Sequence, residues 1–337
     1  MNTQTFEPES VRVFIGSSPR NLIEEKVFCY TLKKYTSSPL DIYIINGQNG
    51  SATRLLTGEV KTLPPGIIER IPGATAFSMA RWAIPQWCDY QGKAIYCDSD
   101  QIALADITEL WDFDLKGNMC AAVPVKQAKV YKHYTDQVLQ RFLTSEDDHY
   151  LASVMLFDCE QASDWSLKSL IELMDQKQFT LPELMFLSAP LRRYFDIVIT
   201  ALPREWNHLD VVDADSKIVH FTDLTSQPWK FHHNAVSDLW EHFFLATLSD
   251  GALSVDEVKA ARKAGYISQR IQSLAVMPHR MQGPVNRLWR GWSAATFLSI
   301  KFFSDRIQAL TSPARSAARS VARRLRSQVK RLTNAHS

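Results

Sequence analysis

"KAIYCDSDQIALADITELW", residues 93–111, runs from an apolar, aromatic stretch directly into two carboxylates, Asp98 and Asp100, one residue apart. Residues 93–97 have the composition of a buried strand, and in α/β sheets ligands bind beyond the carboxyl ends of such strands. Two unpaired carboxylates held there repel and raise each other's pKa, so a nearby cation is the simplest way to keep both ionised. The i, i+2 spacing lets both side chains approach one ion from a bent backbone. Hard oxygen ligands favour magnesium or manganese, with a phosphate-bearing substrate completing the shell. On spacing alone, two solvated loop acids account for the pattern equally well.

The flanking sequence reads as the rest of an α/β sheet. "VRVFIGSS" (11–18) is a short β-branched and aromatic run ending in small residues; Leu22, Ile23, Val27, Phe28 and Leu32 then recur at helical spacing, and "LDIYIIN" (40–46) is the next strand. Strand, helix, strand opens an α/β fold. "TAFSMARWAIPQWCDY" (75–90) is expected to be a helix ending near Pro85. "MCAAVPV" (119–125), "LASVMLFD" (151–158) and "KIVHF" (217–221) read as further strands, with Asp210, Asp213 and Asp215 forming a solvated turn before the last. "NAVSDLWEHFFLATLSDG" (234–251) is a helix with Asn234 as its cap and Gly251 past its end, and Ser254 to Glu257 is a capping-box pattern opening another.

A chain of 337 residues, 45% hydrophobic, suffices for one large domain or a domain with an appendage. The N-terminus carries Glu7 and Glu9 and lacks a basic start followed by an apolar core, so it does not read as a secretory signal and a cytoplasmic location is expected. Cys29, Cys88, Cys97, Cys120 and Cys159 are odd in number and scattered, which argues against a disulfide framework and a zinc knuckle; they read as small core residues. The net charge of +2 is unevenly spread: residues from 258 onward carry +15 and the first 257 carry −13. An acidic body with a basic tail points to chemistry in the body and an anionic partner for the tail.

Four pieces of the chain, "FSMARWAIP" (77–85), "AIYCDSDQIALADITELW" (94–111), "LPREWN" (202–207) and "IVHFTDLTSQPW" (218–229), together resemble glycosyltransferase family eight, the group of glycogenin and the bacterial lipopolysaccharide galactosyltransferases. They occur in the family's order, and with the "VFIGSS" start the likeness covers about residues 10–230. The resemblance implies a GT-A fold, a nucleotide-sugar-binding mixed α/β sheet flanked by helices. It implies a retaining hexosyl transfer from a nucleotide donor, a uridine diphosphate sugar being expected, to a glycan or lipid-linked acceptor. It further implies that Asp98 and Asp100 hold manganese or magnesium against the donor diphosphate, with His220 as third ligand and Arg81 neutralising the donor or orienting the acids. Gly16, Ser17 and Ser18, at the end of the first strand, could let the base and ribose approach closely, although a plain strand-to-helix turn explains them equally well. Ser99 is expected on the donor side. Asp158, at the end of "VMLFD", is a candidate catalytic group near the donor sugar, with a structural loop acid as the alternative.

The chain departs from the family's pattern after His220, where Thr222, Asp223 and Gln227 stand in place of the usual glycine and lysine. Lys230, the basic tail or a hydrogen bond from Gln227 is then expected to serve the leaving diphosphate. The family's N-x-G is replaced by "YLASVMLFD", and "FTLPELMF" occupies the place of an acidic stretch. Two other readings stand beside this one: a haloacid-dehalogenase-type phosphatase, whose nucleophile also lies in a DxD after an apolar strand, and a nucleotide-sugar-binding protein of the same fold with little turnover.

In the tail, Trp289, Trp292, Phe297, Phe302 and Phe303 mix with basic residues, and Ala314, Ala318, Val321, Leu325, Val329 and Leu332 recur at three and four beside a stripe of Arg315, Arg319, Arg323, Arg326 and Lys330. This is the pattern of an amphipathic basic helix, with no apolar run of the ~20 residues needed to span a bilayer. The expected domains are therefore 10–250 for transfer and 251–337 as a helical tail docking on the anionic inner face of a membrane; nucleic acid is the less favoured partner.

Overall fold

The computed structural model describes residues 10–276, apart from 65, 68–69, 71–76, 132–136 and 232–233. Its strands are β1 (Val11–Ser17), β2 (Leu40–Asn46), β3 (Ser51–Arg54), β4 (Val60–Thr62), β5 (Lys93–Asp98), β6 (Gln101–Ala103), β7 (Cys120–Pro124), β8 (Tyr150–Asp158), β9 (Ile199–Ala201), β10 (His208–Leu209) and β11 (Ile218–His220). The helices are α1 (Leu22–Tyr35), α2 (Ile84–Trp87), α3 (Thr108–Trp111), α4 (Gln137–Leu143), α5 (Leu167–Asp175), α6 (Leu181–Met185), α7 (Ala189–Phe195), α8 (Ser237–Ser249), α9 (Val255–Lys263) and α10 (Gln269–Ala275). Eight strands form one mixed sheet in the order β4-β3-β2-β1-β5-β8-β7-β9, and a second sheet has the order β10-β11-β6. This is the mixed α/β architecture expected from the sequence.

Strand alternation divides the interior. On β5, Ala94 and Tyr96 enter one core while Ile95 and Cys97 enter the core on the opposite face. Phe14 of β1 joins the first, stacking on Tyr43 at 4.6 Å, and Val11, Val13 and Ile15 join the second. A third core gathers Ile23 and Val27 of α1, Ile102, Val219, and the aromatic residues Trp229, Trp240 and Phe244. Helices α9 and α10 add Val258, Ala261 and Ile271 to this same core, so the expected domain break at 250 falls within a packed helical layer. All five cysteines are buried and unbridged.

Two devices position the site. Parallel pairing sets Gly16 of β1 opposite Asp98, and the Ser99 N–H donates to the Gly16 carbonyl at 3.0 Å. In the smaller sheet, β11 runs antiparallel to β6 with His220 opposite Gln101, and the Phe221 N–H donates to the Asp100 carbonyl at 2.9 Å. The strand that gives out at Asp98 thus resumes at once as β6, and β6 recruits a segment 117 residues later.

Several local expectations are corrected. Pro85 does not end a helix. It lies in the first turn of α2, after a 3-10 turn at Ala80–Ala83, where its missing N–H leaves no bond unmade. Asn234 does not cap α8 from the N-cap position, which Val236 occupies; its Oδ1 instead accepts the Val236 N–H at 2.9 Å in a turn before the helix. The Ser254–Glu257 capping box is present, and Gly251 adopts φ +76° just beyond α8. The basic amphipathic tail expected over 314–332, with the aromatic stretch before it, lies outside the described residues.

Gly16 is required by its neighbours: a Cβ there would meet the Tyr96 hydroxyl and lie 2.7 Å from a Phe77 ring carbon. Gly16→Ala is therefore expected to lower stability by about 1–3 kcal/mol through overpacking, read as a fall in the urea midpoint at unchanged slope. Glu24, 2% exposed in the first turn of α1, accepts one hydrogen bond from Asn21 at 3.3 Å through Oε1, while Oε2 has no partner. Burial pushes its carboxyl up to about 8, so the folded protein keeps it protonated over a range where the unfolded chain ionises. Its contribution is full below the ordinary glutamate range near 4.5 and is lost as pH rises towards 8, at up to about 1.4 kcal/mol per pH unit. Urea midpoints of the wild type should fall between pH 5 and pH 8, and Glu24→Gln should remove that part of the slope.

Candidate active site

Asp98 ends a strand whose alternation places it on the same face as Tyr96, and the Tyr96 hydroxyl donates to Asp98 Oδ1. Arg81, brought under the strand end by the turn before α2, donates to the same oxygen from Nη2 at 3.2 Å. Its other terminal nitrogen donates to the Ala152 carbonyl, and its guanidinium lies 4.6 Å from the Tyr96 ring centroid. Burial raises the Asp98 carboxyl, and Asp100 adds to the rise, while Arg81, His220 and the Tyr96 hydrogen bond act against it. Arg81 is 3% exposed, so this is an interior ion pair whose partners depend on one another.

His220 approaches from β11. Its Nε2 lies 3.0 Å from Asp100 Oδ1 and 3.7 Å from Asp98 Oδ2. Its Nδ1 is 3.2 Å from Asn207 Oδ1, which can only accept, so Nδ1 carries the proton and Nε2 is left to face the carboxylates. Burial lowers the imidazole pKa, but Asp100, Asp98 and Asp210 overcome it and the net direction is upward. Apart from its 3.0 Å approach to His220 Nε2, the buried Asp100 Oδ1 has no hydrogen-bond partner. One ligand atom each from Asp98, Asp100 and His220 lies within 4.8 Å of the others. Two carboxylate oxygens and an imidazole nitrogen that face one another are a donor set that fits manganese or magnesium.

All three members are tied to one irregularity. β8 pairs with β7 up to Met155 opposite Ala122, then resumes with Leu151 opposite Val123, leaving residues 152–154 unopposed on that side. Such bulges re-aim backbone and side chains beside functional sites. The Ala152 carbonyl receives Arg81, which holds Asp98; the Ser153 carbonyl receives Gln101 Nε2 at 2.9 Å, next to Asp100; and Ser153 Oγ receives Asn207 Nδ2 at 2.8 Å, behind His220.

Beside the cluster opens a cleft of about 380 Å³ whose polar side includes Ser78, Arg81, Asp98, Asp100, Ser153 and His220. The loop leaving His220 is shaped by Asp210, whose Oδ2 accepts the N–H groups of Thr222 at 3.2 Å and Asp223 at 3.1 Å, and whose Oδ1 accepts from Asn234 at 2.7 Å. Asp210 is 2% exposed, which corrects the expectation of a solvated turn for this residue. Asp213 does make such a turn, accepting the Asp215 N–H at 3.0 Å.

Other expected site residues lie elsewhere. Asp158 is opposite Lys93, five residues or about 16 Å of strand from Asp98, and accepts the Glu160 N–H at 3.1 Å as a turn former. The antiparallel course of β8 carries it away from the cluster, which corrects its assignment beside the donor sugar. Ser17 donates to Glu25 at 2.6 Å and Ser18 to Asn21 at 2.6 Å, closing the turn into α1. Ser99 is fully buried with an unpartnered hydroxyl. Gln227 donates to the Phe221 carbonyl at 3.4 Å and accepts from Lys230 at 3.2 Å. Asn207, Ser153, Gln101 and Tyr96 were not singled out in the sequence. Two signals were present: Asn207 lies inside the "LPREWN" piece, and Tyr96 stands two residues before Asp98 on the same strand face.

Comparison with known proteins places this geometry. Residues 73–233 match the family model described as Glycosyl transferase family 8. Protein CDI of Arabidopsis thaliana is 26% identical over 254 residues, 71% of this chain and 88% of that protein. Among solved structures, galactosyltransferase LgtC in complex with donor and acceptor sugar analogs aligns with a TM-score of 0.53 at 12% identity, covering 72% of this chain and all of that one. An active-site mutant of LgtC gives 0.52 at 11% identity, covering 70% and 96%. At these identities the structural likeness speaks for the GT-A fold. The matched segment carries Arg81, Asp98, Asp100, Ser153, Asn207 and His220, and the family match, the relative and the shared fold together support a family 8 glycosyltransferase of GT-A fold.

Proposed function

We propose that the protein transfers a hexose from a nucleoside diphosphate sugar, a uridine diphosphate hexose, to a glycan or lipid-linked acceptor with retention of configuration and with manganese or magnesium bound. The observation that carries this reading is the convergence of Asp98, Asp100 and His220 within 4.8 Å at the wall of a cleft. These three residues would hold the ion, which when bound supplies Lewis-acid stabilisation of the departing diphosphate. Asn207 keeps the His220 proton on Nδ1, so that Nε2 presents its lone pair to the site. Arg81 and Tyr96 favour the ionised form of Asp98 against its burial and fix it in place. Lys230, bonded to Gln227, is the described cation on the loop past His220 that stands in for the family's lysine. Gly16, Ser17, Ser18 and Ser99, around the ends of β1 and β5, are assigned to the nucleotide side.

The basic C-terminal stretch supports, by composition alone, docking on an anionic membrane surface, which would bring the site to a lipid-linked acceptor. Among the described residues no helix is long and apolar enough to cross a membrane.

Replacing Asp98 and Asp100 by Ala should cut sugar transfer by at least about 10²–10³-fold, the range for loss of a charge-stabilising group. Asn207→Leu should weaken manganese binding about 10–100-fold, read by electron paramagnetic resonance titration, with thermal stability checked alongside. Transfer that persists unchanged in the double-Ala variant without metal would overturn the proposal. Donor binding without transfer would instead support a binding protein, and hydrolysis of an aryl phosphate would revive the phosphatase reading.

A further inference from the structure

We infer that the acceptor carries an apolar aglycone beside its reacting hydroxyl, and that the cleft next to the acidic pair is shaped for that apolar body. The inference rests on reading Asp98, Asp100 and His220 as the reaction centre. Away from that pole the cleft wall is Leu139, Leu151, Leu181, Pro182, Met185 and Phe186. None of these side chains donates or accepts a hydrogen bond. A sugar ring laid on this wall would surrender hydrogen bonds to water and regain none from it, whereas an alkyl or aryl group is driven there by its own release from water.

The wall is not merely core. Leu139 and Leu151 are buried, but Leu181, Met185 and Phe186 are half-exposed, and Leu224 on the rim is 64% exposed. Leu224 belongs to the loop that Asp210 fastens behind His220, so an apolar lip is held close to the reaction centre. The opposite face is equally fixed. A Thr180–Glu183 capping box and Pro182 in the first turn set α6, while Phe186 stacks on Phe142 at 4.1 Å and its carbonyl accepts the Tyr150 N–H at 2.8 Å. A rigid apolar wall against one charged pole is preorganised for an amphipathic ligand, polar at the reacting end and apolar behind it.

The test is calorimetric titration of the full chain, with manganese and uridine diphosphate present, using methyl, phenyl and n-octyl β-glucosides below the micelle threshold. An apolar glycoside should bind at least tenfold tighter than the methyl glucoside, with octyl and phenyl distinguishing a chain from a ring. Leu224→Asn and Met185→Gln should each reduce that preference severalfold. Leu224→Asn alters an exposed side chain and decides the matter should Met185→Gln fold poorly. Equal affinity for the three glycosides would overturn the inference and assign the wall to the transferred sugar. So would a preference that neither substitution reduces. Because the readout is binding, absence of sugar transfer would defeat the proposed activity while leaving the cleft's selectivity measurable.

Discussion

The site depends on three residues of β8 that its neighbour β7 does not oppose. A bulge leaves carbonyls without ladder partners, and buried carbonyls must find donors. Here the donors are Arg81 at Ala152 and Gln101 at Ser153, while the Ser153 hydroxyl is met by Asn207. Each donor stands beside or behind one member of the acidic–imidazole cluster. The backbone's need for hydrogen bonds and the cluster's need for fixed geometry are met by the same contacts. Arg81 also compensates the Asp98 charge that burial disfavours, and losing one partner of such a pair leaves the other charged and unpaired.

The second constraint is register. In the small sheet a one-residue slip of β11 against β6 would turn His220 to the opposite face. Val219 and Phe221, fully buried in the third core, resist it on one side, and Asn207 holds the ring itself on the other. The imidazole is therefore placed twice, by packing of its neighbours and by a hydrogen bond to its far nitrogen.

Much of this was legible in the sequence because it is local. Strands β1, β2, β5, β7 and β8 follow from apolar runs, and α1 and α9 from spacing and a capping box. The acidic pair was visible at the end of a buried strand, but its spacing fits two solvated loop acids equally well, and only the flanking pieces that resemble family eight separated the two readings. The rest was hidden for physical reasons. Strand β6 spans Gln101–Ala103 and β10 only His208–Leu209, too short for alternation to register. Asp210 reads as a turn acid unless the chain is already known to fold Thr222, Asp223 and Asn234 onto it. Asp158 looked like a site residue because it ends a strand, but β8 runs opposite to β5, and the direction of a strand is not written in its composition. The likeness to family eight supplied His220, which no spacing argument would have joined to residues 120 positions away.

That separation has a consequence for synthesis. Strands β5 and β6 emerge from the ribosome long before β11, so for much of translation the acidic pair exists with Arg81 available but without its imidazole. Domains generally complete their folding as units, and contacts of such long range form late. A nascent chain stalled before residue 220 would hold most of the large sheet yet have no complete cluster, so fragments cut short by premature termination lack whatever needs all three side chains at once.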